Sequence, residues 1–252
     1  MSKVSIIGAG NVAWVFGQRL KSKGYEIREV CSRSEKKGRA LAQELQAEYI
    51  ALNKKLDGHS DIYLLAINDG AIAECASLIS STKGLVVHFS GSTSLHAVSQ
   101  PRRAVLWPLR SIAKSHQTDW STMNIILESD SDLASVRAMD LVQDLGAKAV
   151  RMDESRRKQA HLIAVLLNNF SNHLLHMADV ISAEQGLDPA IFQELMTSSF
   201  LNKGPAKNRQ TGPAIRGDQG IIESQVKMLK DHPEFQLIYK SMSDSIIKTH
   251  NL

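Results

Sequence analysis

Lys3-Val4-Ser5-Ile6-Ile7-Gly8-Ala9-Gly10-Asn11-Val12-Ala13 is the stretch whose reading decides the fold. Val4 to Ile7 is a short apolar run of strand length, and the residues from Ala13 onward carry apolar positions at helical spacing. Between them lies G-x-G-x-x-A, the order of residues that a strand-to-helix turn needs to cradle a pyrophosphate. Gly8 permits the tight turn, Gly10 lets the backbone approach the phosphates with no side chain in the way, and small Ala13 lets helix and strand pack closely. Ala9, Asn11 and Val12 complete the turn, whose unpaired helix N–H groups attract an anion.

Working outward, residues 4–7, 27–31, 62–67, 85–89, 104–106, 123–127 and 147–150 read as strands, and 13–23, 35–45, 71–79 and 132–145 as helices. Alternation of this kind predicts an α/β fold with a parallel sheet covered by helices. After Arg151 the pattern changes: residues 155–185 form a long helical segment without Gly or Pro, stopped by Gly186-Leu187-Asp188-Pro189. Two domains are therefore expected, 1–152 for the dinucleotide and 153–252, all helical, for substrate and dimerisation. Residues 202–217 read as a loop rich in Gly and Pro, with helices near 219–230 and 233–249 closing the sequence.

The end of the second strand selects the cofactor. An NAD site usually places Asp or Glu there for the ribose 2′-hydroxyl. This chain has Ser32-Arg33-Ser34, with Lys36 and Lys37 just beyond. Two hydroxyl donors and a guanidinium suit a 2′-phosphate, which a carboxylate would repel, so NADP is the expected cofactor. A plain solvated basic loop is the other reading of Arg33 and the lysines, with Glu29 close by in sequence. Ligands of open α/β sheets bind beyond the carboxyl ends of the strands, which assigns Ala66, Ile67, Asn68 and Ser90 to the cofactor and sets His88 beside the substrate. Asp69 reads as the N-cap of the helix that follows.

The composition excludes several classes. With 43% hydrophobic and 22% charged residues over 252 positions, the chain is that of a folded globular protein. A net charge of +4 is too mild to mark a nucleic-acid surface, and a phosphorylated cofactor accounts for it. No apolar run reaches about 18 residues, so no membrane span is expected. Cys31 and Cys75 have neither metal-ligand spacing nor a disulfide framework; no metal is expected, and a reducing cytoplasm is.

Several islands together resemble a known family. Gly8 to Ala13, His88-Phe89-Ser90-Gly91-Ser92, Trp107-Pro108-Leu109, His161 to Asn169 and Thr211 to Asp218 are similar to Rossmann-like proteins with a DUF2520 C-terminal domain, assigned provisionally as NADP oxidoreductases. They are similar in build to pyrroline-5-carboxylate reductase. The resemblance implies a helical domain like that of 6-phosphogluconate dehydrogenase, exchanging contacts in a dimer, and it implies no particular substrate. Trp107 stands where the family is expected to have His before Pro-Leu. The Gly-Ser-Gly-Pro-Ala run of pyrroline-5-carboxylate reductases is missing.

On the long helix His161, Val165, Asn168 and Asn172 are spaced by four, three and four, which puts them on one face. His161 is assigned as general acid for a carbonyl or imine that receives hydride, with Asn168 orienting the substrate; a hydrogen-bonded interface histidine is the alternative role. Ala164 stands four residues before Asn168, where β-hydroxyacid dehydrogenases carry a lysine, so that chemistry is not expected. His173 and His176 read as interface packing rather than metal ligands. Arg216 either binds an anionic substrate group or clamps Asp218. Leu162, Ile163, Leu166, Leu167, Phe170, Leu174 and Leu175 cover more than one side of the helix, and a homodimer is the expected cover. Two functions stand open: an NADP-dependent oxidoreductase acting on a small carbonyl or imine, and a non-catalytic dinucleotide-binding sensor or scaffold.

Overall fold

The computed structural model describes residues 1–201 and 203–251. Asn202, the first residue of the expected Gly/Pro-rich loop, lies outside the described residues. The chain divides into two compact units, Met1–Asn168 and Asn169–Leu252.

The first unit is a sheet with helices on both faces. Strands β1 (Lys3–Ile7), β2 (Glu26–Ser32), β3 (Glu48–Ala51), β4 (Ile62–Leu65), β5 (Leu85–His88), β6 (Arg103–Pro108), β7 (Asn124–Ser129) and β8 (Lys148–Arg151) lie in the order β3-β2-β1-β4-β5-β6-β7-β8. The order reverses at β1, with β2 on one side and β4 on the other, and this is where an open α/β sheet leaves a crevice.

Period-two alternation splits β1 between two cores. Val4 and Ile6 join the cluster containing Phe16, Leu41 and Leu141, while Ile7 faces the cluster containing Tyr63, Ile72 and Cys75. The first face carries α1 (Asn11–Ser22), α2 (Glu35–Leu45) and α4 (Asp132–Leu145), and the second carries α3 (Ile72–Ser77). Helix α1 buries Ala13, Phe16, Gly17 and Leu20, an i, i+3, i+4, i+7 stripe. Helix α2 starts on the Ser34 cap and ends at Gln46 in the left-handed region, φ 57°.

Three expectations need correction. The sheet is not wholly parallel: β7 runs antiparallel to β6, and β8 is parallel to β7. A parallel neighbour needs a crossover, usually helical, and residues 109–123 between β6 and β7 form no helix, so the chain returns antiparallel. Strand β3 has no counterpart in the sequence reading; it is a four-residue edge strand, half-buried and weakly patterned. The helix expected over 71–79 is a 3₁₀ turn, Asp69–Ala71, followed by the shorter α3.

The long helix is also interrupted. Helix α5 (Glu154–Ala164) runs into a π-helical turn, Val165–Phe170, and then into α6 (Ser171–Glu184). The extra residue of a π turn breaks the 3.6 period on which a single face from His161 to Asn172 rests. The second unit continues with α7 (Gln193–Leu201), α8 (Pro213–Arg216), α9 (Gln219–Met228) and α10 (Pro233–His250). Its small core is Met177, Leu229 and Phe235, packed against Val180, Ile181, Ile238 and Tyr239. Among the described residues no helix is long and apolar enough to cross a membrane.

Candidate functional site

The crevice beyond β1, β2 and β4 is a cleft of about 670 Å³. Gly8 leaves β1 with φ +121°, its N–H donating to the Cys31 carbonyl at 2.7 Å. A Cβ there would overlap the Ala66 carbonyl, so the turn demands glycine twice over, by dihedral and by space. At Gly10, the N-cap of α1, a Cβ would meet nothing within 4 Å. That open space lies over the first turn of α1, which has no acidic side chain and no side-chain cap to occupy its N–H groups. That open space, with free N–H groups at its floor, fits a pyrophosphate.

The cleft brings together Gly8, Ala9, Gly10, Asn11, Val12, Ser32, Arg33, Ser34, Lys37, Ala66, Ile67 and Asn68. Ala13 faces the core instead, where its small size lets α1 approach the sheet. At the β2 end, Ser32 donates to the Ser34 carbonyl at 2.8 Å, and the Ser34 hydroxyl accepts the Lys37 N–H at 3.5 Å. This turn is held by its own hydroxyls, and the exposed Arg33 guanidinium forms no hydrogen bond or ion pair among the described residues. Cys31 and Cys75 are free and buried; burial pushes the Cys31 thiol up to about 12 and raises Cys75, so neither is a ready nucleophile.

On the β4 and β5 side Asn68, Asp69, Phe89 and Ile112 line the cleft. Asp69 is not the expected cap: Asn68 occupies the cap position, and the Asp69 Oδ2 accepts hydrogen bonds from the Ser90 hydroxyl at 2.6 Å and the Ser92 hydroxyl at 2.7 Å. Ser90 therefore stands behind Asp69 rather than on the cleft wall. Its oxygen also accepts the Thr93 N–H at 2.9 Å, which folds the loop after β5 around it.

His88 is fully buried at the end of β5. Its Nδ1 accepts the Ser90 N–H at 3.3 Å. Burial, and second the nearby Arg157 charge, hold the imidazole down at about 4, so it is neutral at physiological pH. Arg157, the middle one of three consecutive basic residues, is fully buried on α5. Its Nε donates to Glu128 at 2.7 Å and its Nη1 to the carbonyls of Ser90 at 3.2 Å and Gly91 at 2.9 Å. Its neighbour Lys158 is a solvated helix residue paired with Glu154 at 2.6 Å.

His161 lies one turn beyond Arg157 and packs over the same loop. Its ring is 5.4 Å from Trp107, tilted by 56°. A Cβ at Gly91 would overlap both rings, so glycine is what allows them to approach the loop. Asn168, in the π turn, donates to the Ser111 hydroxyl at 2.8 Å. His161 thus meets residues after β5 and at the end of β6, and Asn168 meets one in the segment that follows β6.

In the second unit Arg216 pairs with Asp218 at 2.9 Å, the clamp that was one of its two expected roles. Asp218 holds the cap position of α9 without a side-chain cap bond, because its carboxylate faces Arg216. His173 and His176 meet the Phe235 ring edge-on, each at 6.3 Å.

Comparison with known proteins agrees with this geometry. Residues 3–89 match the family model described as NADP oxidoreductase, coenzyme F420-dependent, and residues 123–246 match the domain of unknown function DUF2520. A provisionally assigned NADP oxidoreductase from Bacteroides fragilis is similar over 100% of this chain and 98% of its own, with 28% identity and a TM-score of 0.89. A protein from Thermotoga maritima is 21% identical over 98% of both chains, with a TM-score of 0.70. The 1-pyrroline-5-carboxylate reductase of Streptococcus pyogenes shares the fold at 15% identity, covering 100% of this chain and 99% of that one, with a TM-score of 0.62. No curated protein matches. One model matches the nucleotide end of this chain and the other its helical end, so most of its length is similar to Rossmann-like oxidoreductases that carry a DUF2520 domain.

Proposed function

We propose that the chain is an NADP-dependent oxidoreductase that moves a hydride between the cofactor and a small carbonyl or imine substrate. The observation that carries this reading is the cleft itself: the open cradle at Gly10 adjoins a β2 end with unpaired Arg33 and the hydroxyls of Ser32 and Ser34. The α1 N-terminus takes the pyrophosphate, and Arg33 with Lys37 takes the 2′-phosphate. Asn68 serves the nicotinamide half. His161 supplies or removes the proton at the substrate heteroatom, and Asn168 orients that group. Support for these roles is that both side chains pack on residues at or just past the carboxyl ends of β5 and β6, where ligands of open α/β sheets bind.

Fluorescence titration with NADPH and NADH tests the cofactor half, with NADPH expected to bind more tightly. NADPH oxidation against a panel of small ketones, imines and cyclic imines tests the substrate half. Binding without turnover on any of them, or with a deazaflavin as hydride partner, favours the non-catalytic sensor instead.

We further propose a homodimer. The support is a row of apolar side chains, Leu162, Ile163, Leu167, Phe170 and Leu174, left largely exposed along α5, the π turn and the start of α6. Exposed large apolar side chains in such number mark an interaction site, and a second copy is the commonest partner.

A further inference from the structure

Two carboxylates line the cleft. Glu74, on α3, stands with Arg33 near Cys75, on the β2 side. Asp69 stands on the other side, tied to the loop after β5 by two hydroxyl hydrogen bonds. Both of these bonds go to the same oxygen, Oδ2. The Oδ1 atom forms no hydrogen bond with any described residue, and the residue is exposed at the cleft wall. A carboxylate that served only to tie the loop would have no need to line a ligand cleft. Here one oxygen is anchored and the other is left as an acceptor.

Its position decides what it would accept from. A dinucleotide laid across the switch point has its pyrophosphate at Gly10 and its 2′-phosphate at the β2 end. The remaining half must then cross to β4 and β5, where Asp69 is held by Ser90 and Ser92. That half carries ribose hydroxyls and a carboxamide NH₂, all hydrogen-bond donors, and a ring that is a pyridinium cation when oxidised and neutral when reduced. An anionic acceptor distinguishes these two states, because only one of them carries an opposite charge.

We propose that Asp69 contacts the nicotinamide half of the dinucleotide through Oδ1, and that its charge favours the oxidised cofactor over the reduced one. The inference rests on the NADP reading of the cleft. Its consequence concerns direction: a site that holds the oxidised ring more tightly than the reduced one makes the bound reduced cofactor a stronger hydride donor, which suits reduction of the substrate.

Calorimetric titration of the full chain with NADP⁺, NADPH and adenosine 2′,5′-bisphosphate tests it, since the last ligand lacks the nicotinamide half. Asp69→Asn should weaken NADP⁺ relative to NADPH by on the order of threefold to tenfold, the size of one partly solvated charge, and leave the bisphosphate affinity unchanged. Glu74→Gln, which removes the same charge on the other side, should leave the NADP⁺ to NADPH ratio where it is. An unmoved ratio in Asp69→Asn, or an equal shift in Glu74→Gln, overturns the inference while the cofactor reading stands. Wild-type protein that binds none of the three overturns both. If Asp69→Asn also loses the bisphosphate through misfolding, Asp69→Ser takes its place; it removes the same charge with a smaller side chain, and the ratio must move in the same direction or the inference fails.

Discussion

Gly8 and Gly10 stand two positions apart in one motif, yet the structure separates their roles. Gly8→Ala forces a side chain onto a backbone at φ +121° and into the Ala66 carbonyl, and should destabilise the fold by roughly 2–4 kcal/mol in urea unfolding. Gly10→Val meets no protein atom within 4 Å of its Cβ, so it should melt like the wild type and fail to bind NADPH. Normal NADPH binding by that variant would remove the cradle from the reading. At the β2 end, Arg33→Asp puts a carboxylate beside the 2′-phosphate position, and the NADPH-over-NADH preference should be lost by tenfold or more, on the order of one charge-assisted pair reversed. A preference that survives moves the 2′-phosphate site elsewhere. His88 makes a different residue-scale prediction. Its folded-state value of about 4 lies below the ordinary 6.5. The unfolded chain therefore binds the extra proton first as pH falls, so stability is full above about 6.5 and declines toward 4 by up to about 1.4 kcal/mol per pH unit. His88→Gln should flatten that part of the profile in unfolding measurements between pH 7.5 and 5, and an unchanged slope would assign it to other groups.

Among the elements, α5 has the closest tie to the site, because a single buried side chain joins it to the sheet. Arg157 connects Glu128 on β7 with the Ser90 and Gly91 carbonyls after β5, and one turn later His161 rests on that same Gly91. Arg157→Met leaves a nearly buried carboxylate and two carbonyls without their donor, and should cost about 3–5 kcal/mol of stability. Arg157→Lys keeps the charge but cannot span three acceptors, and should recover only part of the loss. A melting temperature within 2 °C of wild type, on the order of 0.5–1 kcal/mol at this chain length, would show that the clamp contributes far less. This tie also explains why the compact first unit extends to Asn168 although its last strand ends at Arg151.

At the scale of the molecule, the exposed apolar row from Leu162 to Leu174 carries the prediction of a homodimer. Sedimentation across micromolar concentrations should report twice the 27.8 kDa chain mass. Leu167→Glu with Phe170→Lys should yield monomer, since a buried charge in a symmetric contact is placed there twice. A monomer mass for the unaltered chain over that range defeats the proposal.

Residues 3–13 were enough to announce the strand, the turn and the helix, because strand period, glycine geometry and helix pattern are local properties. The turn at the β2 end was also within local reach, since Ser32, Arg33 and Ser34, which line the cleft, are adjacent in the chain. Most of the sheet followed from apolar runs, but β3 did not, because a half-buried edge strand has no strong pattern. The reversal at β7 depends on what the 109–123 connection fails to form, which composition does not signal. Arg157 was hidden for a related reason: in Arg156-Arg157-Lys158 three cations look alike, and only packing against Glu128 and the β5 loop buries the middle one. Asp69 looked like a cap because a cap is the local use of an aspartate before a helix; its real partners, Ser90 and Ser92, are brought to it by the pairing of β4 with β5. What the sequence by itself determined is what acts over a few neighbouring residues. The tertiary structure alone decided the charges and hydroxyls that meet across strands, because their partners lie tens of residues away.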